Sequence, residues 1–329
     1  MKIKEVLGID VSKLTLDCHL HCNGVHMVFD NNPEGIAKML DWVLEIEQKD
    51  NLLIVFEHTG LYSHLLIKLL ACSGYLFHVA PGLDIKRSLG IARGKDDKAD
   101  AKRIALYGYR IREEITPCQF YSKSLDLLKR LMSMRKKLVI QRAGHITTLK
   151  EQNTVLDETE NKILFQAQKE VIATLNRQIS VLEKEMDKLI GKDPELSELY
   201  RLLTSVKGIG NVTARFLIVH TAGFSTFKSW RKFASYCGIA PFPNRSGTSI
   251  RGRTKVSHLA NKEGKTLLNL CATSAIQSSP EMKAYYERRV KEGKNKMSTL
   301  NIIRNKLLAR AFAVVQRRTP YVDTMRYAS

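Results

Sequence analysis

The sequence predicts an α/β domain at its amino-terminal end and an almost wholly helical remainder. Three observations point there. Over the first hundred residues, short apolar runs that end in acids alternate with amphipathic stretches. Between Ser122 and Ile190 glycine and proline almost vanish, and apolar residues recur at helical spacing. From Pro194 onward helical patterns resume, interrupted by one basic segment rich in glycine and proline, Gly238 to His258.

The first elements follow from local patterns. Glu5 to Asp10 (EVLGID) reads as a short strand closed by an acid. Leu14 to Cys22 (LTLDCHLHC) alternates, with Leu14, Leu16, Cys18, Leu20 and Cys22 on one face. This alternation sends Asp17, His19 and His21 to the opposite face and makes Asp17 a poorer site candidate than Asp10. Val25 to Phe29 reads as a third strand. Pro33 suits the first position of a helix that runs to about Gln48. Leu52 to Glu57 (LLIVFE) is a buried strand, again closed by an acid, and a helix from Leu61 to Cys72 follows, ended by Gly74. Tyr75 to Val79 is a strand, and Pro81 opens the next helix. Three strands, then helix, strand, helix, strand, helix is the order of a ribonuclease-H-like core.

Residues 122–190 predict two long helices. Leu127, Leu128, Leu131, Leu138 and Ile146 mark one stripe; Val171, Leu175, Ile179, Leu182, Met186 and Leu189 mark the other. A helical hairpin or coiled coil serves as a spacer or a dimerisation arm, and apolar stripes of this length favour the arm. Beyond it, the patterns predict helices over Leu199–Thr204, on to Thr221, over Phe224–Cys237, Leu259–Ile276, Met282–Lys291 and Met297–Arg317, with Gly238–Thr254 as a loop.

Charge narrows the function. The 329 residues carry a net charge of +20, which fits a polyanionic partner. From Met1 to Leu61 there are five Lys/Arg against ten Asp/Glu, and from Arg251 to Ser329 seventeen against five. Acids gathered at one end of a phosphate-binding chain suit a metal site. No apolar run is long enough to span a membrane, and the amino terminus lacks the pattern of a signal peptide, so a cytoplasmic protein without disulfides is expected.

Three groups of residues carry chemistry. Asp10 and Glu57 each end a strand, while Asp97 and Asp100 lie three apart at the start of a helix in GKDDKADAKRIA. These four acids are expected to converge and to hold two Mg²⁺ ions roughly 3.5–4 Å apart, the arrangement that clamps the attacking and leaving oxygens of a phosphoryl transfer. Singly, each also fits a surface acid or a helix cap, and Asp96, four before Asp100, competes with Asp97. The second group, SVKGIGNVTA, resembles a helix-hairpin-helix, in which Lys207 and the amides around Gly208 and Gly210 would meet a nucleic-acid backbone. It also fits a plain tight turn. The third, GIAPFPNRSGTSIRGRTKVSH, brings Arg245, Arg251, Arg253 and Lys255 beside the hydroxyls of Ser246 and Ser249. Chemistry alone favours a basic DNA-contact loop there over a nucleophile. CHLHC has zinc-like letters, but on a strand its cysteines and histidines face opposite ways.

GIDVSK, VFEHTG, DDKADAKRIA, GIGNVTA and GIAPFPNRSG, in that order, resemble the DEDD-type transposases of the insertion-sequence one-ten family, which includes the Piv-type DNA invertases and the bridge-RNA-guided recombinases. The resemblance covers nearly the whole chain. It implies a RuvC-like domain over 1–120, a coiled-coil connector over 121–192, and a transposase domain over 193–329. It also implies that Asp10, Glu57, Asp97 and Asp100 bind Mg²⁺, that Ser246 is a nucleophile forming a phosphoserine link, and that domains of different protomers in a dimer or tetramer share one site. The implied partners are donor and target DNA and a structured non-coding guide RNA. Asp96 departs from the family, where threonine is frequent. A site-specific invertase, a junction nuclease that does not need Ser246, and a non-catalytic nucleic-acid-binding scaffold are the rival readings.

Overall fold

The computed structural model describes residues 3–88, 90, 96–115, 122–227, 229–247 and 249–323, and the side chains of Ile250, Arg251 and Arg253 lie outside that description. The chain divides into two compact units, 1–120 and 121–329.

The first unit opens with a meander. The strands β1 (Glu5–Val11), β2 (Thr15–Leu20) and β3 (His26–Asp30) pair antiparallel. The turn between the first two is pinned by Ser12, whose Oγ accepts the Thr15 amide at 2.9 Å. Helix α1 (Pro33–Ile46) starts where Asn32 caps the Gly35 amide. β4 (Leu52–Glu57), α2 (His64–Cys72), β5 (Phe77–Ala80), α3 (Gly82–Ser88) and α4 (Asp97–Ile111) complete it. The sheet order is β3-β2-β1-β4-β5, with β4 parallel to both β1 and β5.

Both sheet faces are covered. Leu7, Ile9, Leu16, Cys18, Leu20, Ile54 and Phe56 pack against α1 and α2. On the other face Val6, Leu53 and Val55 pack with Ile85 of α3 and with Ile104 and Tyr107 of α4. This explains why β4 is an unbroken apolar run. The alternation expected from Leu14 to Cys22 is shorter than predicted. Leu14 is 72% exposed in the turn, and Cys22 lies beyond the strand and is exposed. Asp17 and His19 are buried on the opposite face, which is covered by α4 and not by solvent. The α2 helix begins at His64 and not at Leu61, which sits exposed in the preceding turn.

In the second unit, α5 (Lys123–Val155) and α6 (Lys162–Lys192) form an antiparallel hairpin. Their register is fixed by Arg135 on Glu183 (2.6 Å), Arg142 on Asn176 (2.9 Å) and His145 with Gln168 (3.3 Å). Leu128, Leu138, Ile179 and Met186 bury the expected stripes, whereas Leu127 and Val171 remain exposed. Then come α7 (Pro194–Thr204), α8 (Asn211–His220), α9 (Trp230–Tyr236), β6 (Pro241–Ser246), β7 (Ile250–Val256), α10 (Lys262–Ser278), α11 (Pro280–Lys291) and α12 (Lys296–Arg317). One core joins the helices, centred on Phe216, Phe233, Leu268 and Leu307.

Two expectations fail in this unit. The helix expected over Phe224–Cys237 begins only at Trp230. Ala222, Gly223 and Phe224 adopt left-handed backbone, and Thr221 ties the turn by accepting the Phe224 amide on its hydroxyl at 2.9 Å. Phe224 reaches the core from this turn and not from a helix, and lies edge-on to Phe312. Nor is Gly238–Thr254 an irregular loop: it contains a two-stranded antiparallel ribbon, β6 with β7. Every residue of β6 is exposed, so no apolar alternation betrayed the strand.

Candidate active site

The acids of the first unit are brought together by the sheet. In the parallel β1–β4 pair Ile9 faces Phe56, so Asp10 and Glu57 are the next residues along at the same level. By alternation both project to the face covered by α3 and α4, as do Val6 and Gly8 on β1 and Leu53 and Val55 on β4. The Glu57 carboxylate packs against Gly82 at the start of α3.

Helix α4 then delivers the other two. Gly8 lets its backbone lie almost on β1: a β-carbon there would be 2.2 Å from the Ala105 amide nitrogen and 2.5 Å from the Ala101 carbonyl oxygen. Further along the helix, Gly108 lies against Val6 and Val55. The helix therefore runs antiparallel to β1, and its first turn, with Asp97 and Asp100, falls at the Asp10 end. Asp96 is the residue that precedes the helix, and its carbonyl accepts the Asp100 amide at 2.9 Å.

The electrostatics record the convergence. Burial, followed by the charges of Asp97, Asp100, Asp17 and Glu57, pushes the Asp10 carboxyl up to about 6. Two further residues join the group that sequence reasoning had set aside or missed. Asp17 faces Asp10 directly in the β1–β2 register and lies 3.4 Å from His26. Burial raises its carboxyl as well. Arg103 holds Asp100 at 2.6 Å, three residues on along α4, a spacing that was visible in the sequence. Among the described residues no three acids, histidines or cysteines lie close enough to clasp one ion. Four carboxylates that mutually repel, with Asp100 drawn to Arg103, have no reason to close without a cation between them. As a donor set they suit a hard divalent ion, because all their ligand atoms are oxygens.

The second unit places the other candidates. The SVKGIG segment forms the turn between α7 and α8. Gly208 has φ +96°, and a β-carbon there would lie 2.8 Å from Ala275 and 2.9 Å from the Cys271 carbonyl, so both its conformation and the approach of α10 call for glycine. Gly210 precedes α8 without a side-chain cap, and the first turn of the helix opens on a groove lined in part by Arg135, Gly208, Gly210, Asn211 and Arg215. Arg215 is 3% exposed and paired with Asp187. Lys207 pairs with Asp323.

Ser246 is the last residue of β6, at the end of the ribbon where Gly247 takes left-handed backbone. It is exposed and lies opposite Ile250, with Arg245 opposite Arg251. Lys255 is exposed on β7 opposite Phe242, and the side chains of Arg251 and Arg253 lie outside the described residues. The base of the ribbon is fixed: Asn301 and Asn305 donate to the Ile239 carbonyl at 2.9 and 3.2 Å.

Two family models match the chain. A transposase family model of the DEDD IS110 type matches residues 7–159, and the model described as Transposase IS116/IS110/IS902 family matches residues 200–287. This chain belongs to the IS110 family of transposases. The family member is 28% identical to the pilin gene-inverting protein of Moraxella bovis over 325 residues, 97% of this chain and 98% of that protein. The pilin gene-inverting protein of Moraxella lacunata matches to the same extent. An IS110 insertion-element protein of 43.6 kDa from Streptomyces coelicolor is 29% identical over 154 residues, 47% of this chain and 37% of that protein. The IS110-family chain is thus an enzyme of DNA recombination, and DNA is its substrate. Domains of the DEDD class work with divalent metal ions. Among the described residues no helix is long and apolar enough to cross a membrane.

Proposed function

We propose that this transposase cuts and rejoins DNA through a serine nucleophile, with Asp10, Glu57, Asp97 and Asp100 as the ligands of Mg²⁺. The observation that carries the reading is the meeting of Asp10 and Glu57 at one level of one sheet face, with the start of α4 set against it. Strand order β3-β2-β1-β4-β5, a meander followed by parallel crossovers, supports a RuvC-like fold for this unit. Bound Mg²⁺ would neutralise charge on the reacting phosphate and lower the pKa of a coordinated hydroxyl.

The protein's own part in the reaction follows from its residues. The Ser246 hydroxyl attacks the scissile phosphorus, the P–O bond to the neighbouring nucleotide breaks, and the displaced strand leaves as a hydroxyl that carries the serine proton. An incoming strand hydroxyl reverses the step and restores the serine. Exposure of Ser246 at the far end of a ribbon anchored at its base suits delivery to a phosphate held elsewhere. Arg245, Arg251, Arg253 and Lys255 on the ribbon would grip the DNA backbone, as would Lys207 and the amides around Gly208 and Gly210. The helical hairpin supports assembly into a dimer or tetramer, and the basic second unit supports binding of a structured guide RNA that selects donor and target.

Ser246→Ala tests the nucleophile. The covalent protein–DNA adduct should vanish on denaturing gels while duplex binding stays within about twofold; an adduct that persists refutes the assignment. A second reading, site-specific inversion, is favoured by one observation: the similarity to the pilin gene-inverting proteins covers 97% of this chain, whereas the insertion-element protein matches 47% of it. A plasmid carrying the gene's flanking DNA separates the two, because inversion retains the segment and transposition moves it.

A further inference from the structure

The segment after α12 folds back onto the turn between α7 and α8. The reversal is local in origin. Arg318 takes left-handed backbone with φ 54°, its amide and that of Thr319 satisfy the Val315 and Val314 carbonyls, and Pro320 prevents the helix from continuing. Contacts to the core and to the α7–α8 turn then seat the segment. The Tyr321 amide donates to Ser205 Oγ at 2.8 Å. The Tyr321 ring packs against the core and lies 4.8 Å from the Arg310 guanidinium, which both Glu281 oxygens hold at 2.7 Å. Lys207 donates to Asp323 at 2.8 Å, with the two side chains 31% and 12% exposed.

Ser205 and Lys207 both belong to SVKGIGNVTA, and Lys207 is the only lysine or arginine in those ten residues. The group set upon that lysine is a carboxylate, an anion whose oxygens accept hydrogen bonds as those of a phosphodiester do. We propose that residues 319–323 form an internal strap that occupies the backbone-binding turn in place of a DNA phosphate. DNA must displace Asp323 to engage Lys207. This inference rests on the reading of the α7–α8 turn as a contact to the DNA backbone. Its consequence is a reduced resting affinity: a site that competes with its own strap binds in proportion to the fraction of time the strap is open.

The test uses the full chain and a 30-base-pair duplex of arbitrary sequence, followed by fluorescence anisotropy at several salt concentrations. Asp323→Asn should tighten binding about three- to fivefold at fixed salt, the range expected for release of one partly shielded ion pair. In a Lys207→Ala background the same substitution should have no effect. Unchanged affinity for Asp323→Asn, together with weakened binding by Lys207→Ala, overturns the strap and leaves the turn reading intact. If Lys207→Ala fails to weaken binding even when Asp323 is asparagine, the turn reading falls and the strap with it. Hydrogen exchange supplies an independent readout. The Tyr321 amide should lose protection when duplex saturates the wild-type chain, and retained protection also overturns the proposal.

Discussion

Replacing Asp10 with asparagine is expected to stabilise the metal-free protein while it abolishes recombination. The Asp10 carboxyl is pushed from 3.8 to about 6 by burial and by four neighbouring acids. A group whose folded-state pKa is raised binds its proton more tightly in the native state, so the native state loses stability as pH climbs from about 4 to 6. Below that window Asp10 is neutral and costs nothing; above it the unfavourable charge is fully present. At 1.36 kcal/mol per unit the shift has an upper bound of about 3 kcal/mol. Asp10 is only partly buried, and solvent screening reduces the figure to about 1 kcal/mol. That corresponds to about 2–4 °C in Tm for a unit of 150–250 residues and somewhat more for a smaller one. Thermal unfolding followed by circular dichroism, in a chelator at pH 4 and at pH 7.5, measures the difference. Asparagine should gain at pH 7.5 and be neutral at pH 4. Added Mg²⁺ should raise the Tm of the wild type at pH 7.5 and leave the variant nearly unchanged. A variant less stable than wild type at pH 7.5 in chelator, or one with the same offset at both pH values, would refute the argument from repulsion.

Three further substitutions probe the same site. Gly8→Ala puts a methyl group into the backbone of α4 and should destabilise the protein by about 1–3 kcal/mol, read as a lower urea midpoint at unchanged m-value. A midpoint equal to wild type would mean that the helix is free to move off β1. Asp97→Ala should reduce strand cleavage by at least a hundredfold and Asp96→Asn by less than threefold, measured on a supercoiled plasmid. The opposite ranking would make Asp96, at the residue before α4, the ligand.

Much of this arrangement was legible because its signals are local. Strand-ending acids, a proline at the first turn of α1 and the three-residue spacing of Asp97 and Asp100 each need only a few neighbouring letters to interpret. The ribbon that carries Ser246 was not legible, because a strand exposed on both faces has no apolar alternation, and because Pro241, Pro243, Gly247 and Gly252 read as loop. Its pairing is decided by the ladder to β7, in which Pro241 faces Val256 and Ser246 faces Ile250, a relation between two segments that no window of sequence contains. Phe224 to Ser229 misled in the opposite sense: a helix was expected there, but a left-handed turn at Ala222–Phe224 brings Phe224 to the core as well as a helix would.

Asp17 shows where a sound periodicity argument stops. Alternation correctly sets Asp17 on the face opposite Leu16 and Cys18. Alternation does not say what covers that face, and it is solvent only in a sheet covered on one side. This sheet has helices on both, and the face away from the large apolar cluster is the one on which α4 lies and to which Asp10 and Glu57 project. The register then sets Asp17 directly across from Asp10, close enough for its charge to raise the Asp10 carboxyl. The same reasoning explains why Gly8 matters more than any acid for the geometry. A bulkier residue two positions before Asp10 would hold α4 off the strand, and Asp97 and Asp100 would then lie farther from the carboxylates they are meant to meet.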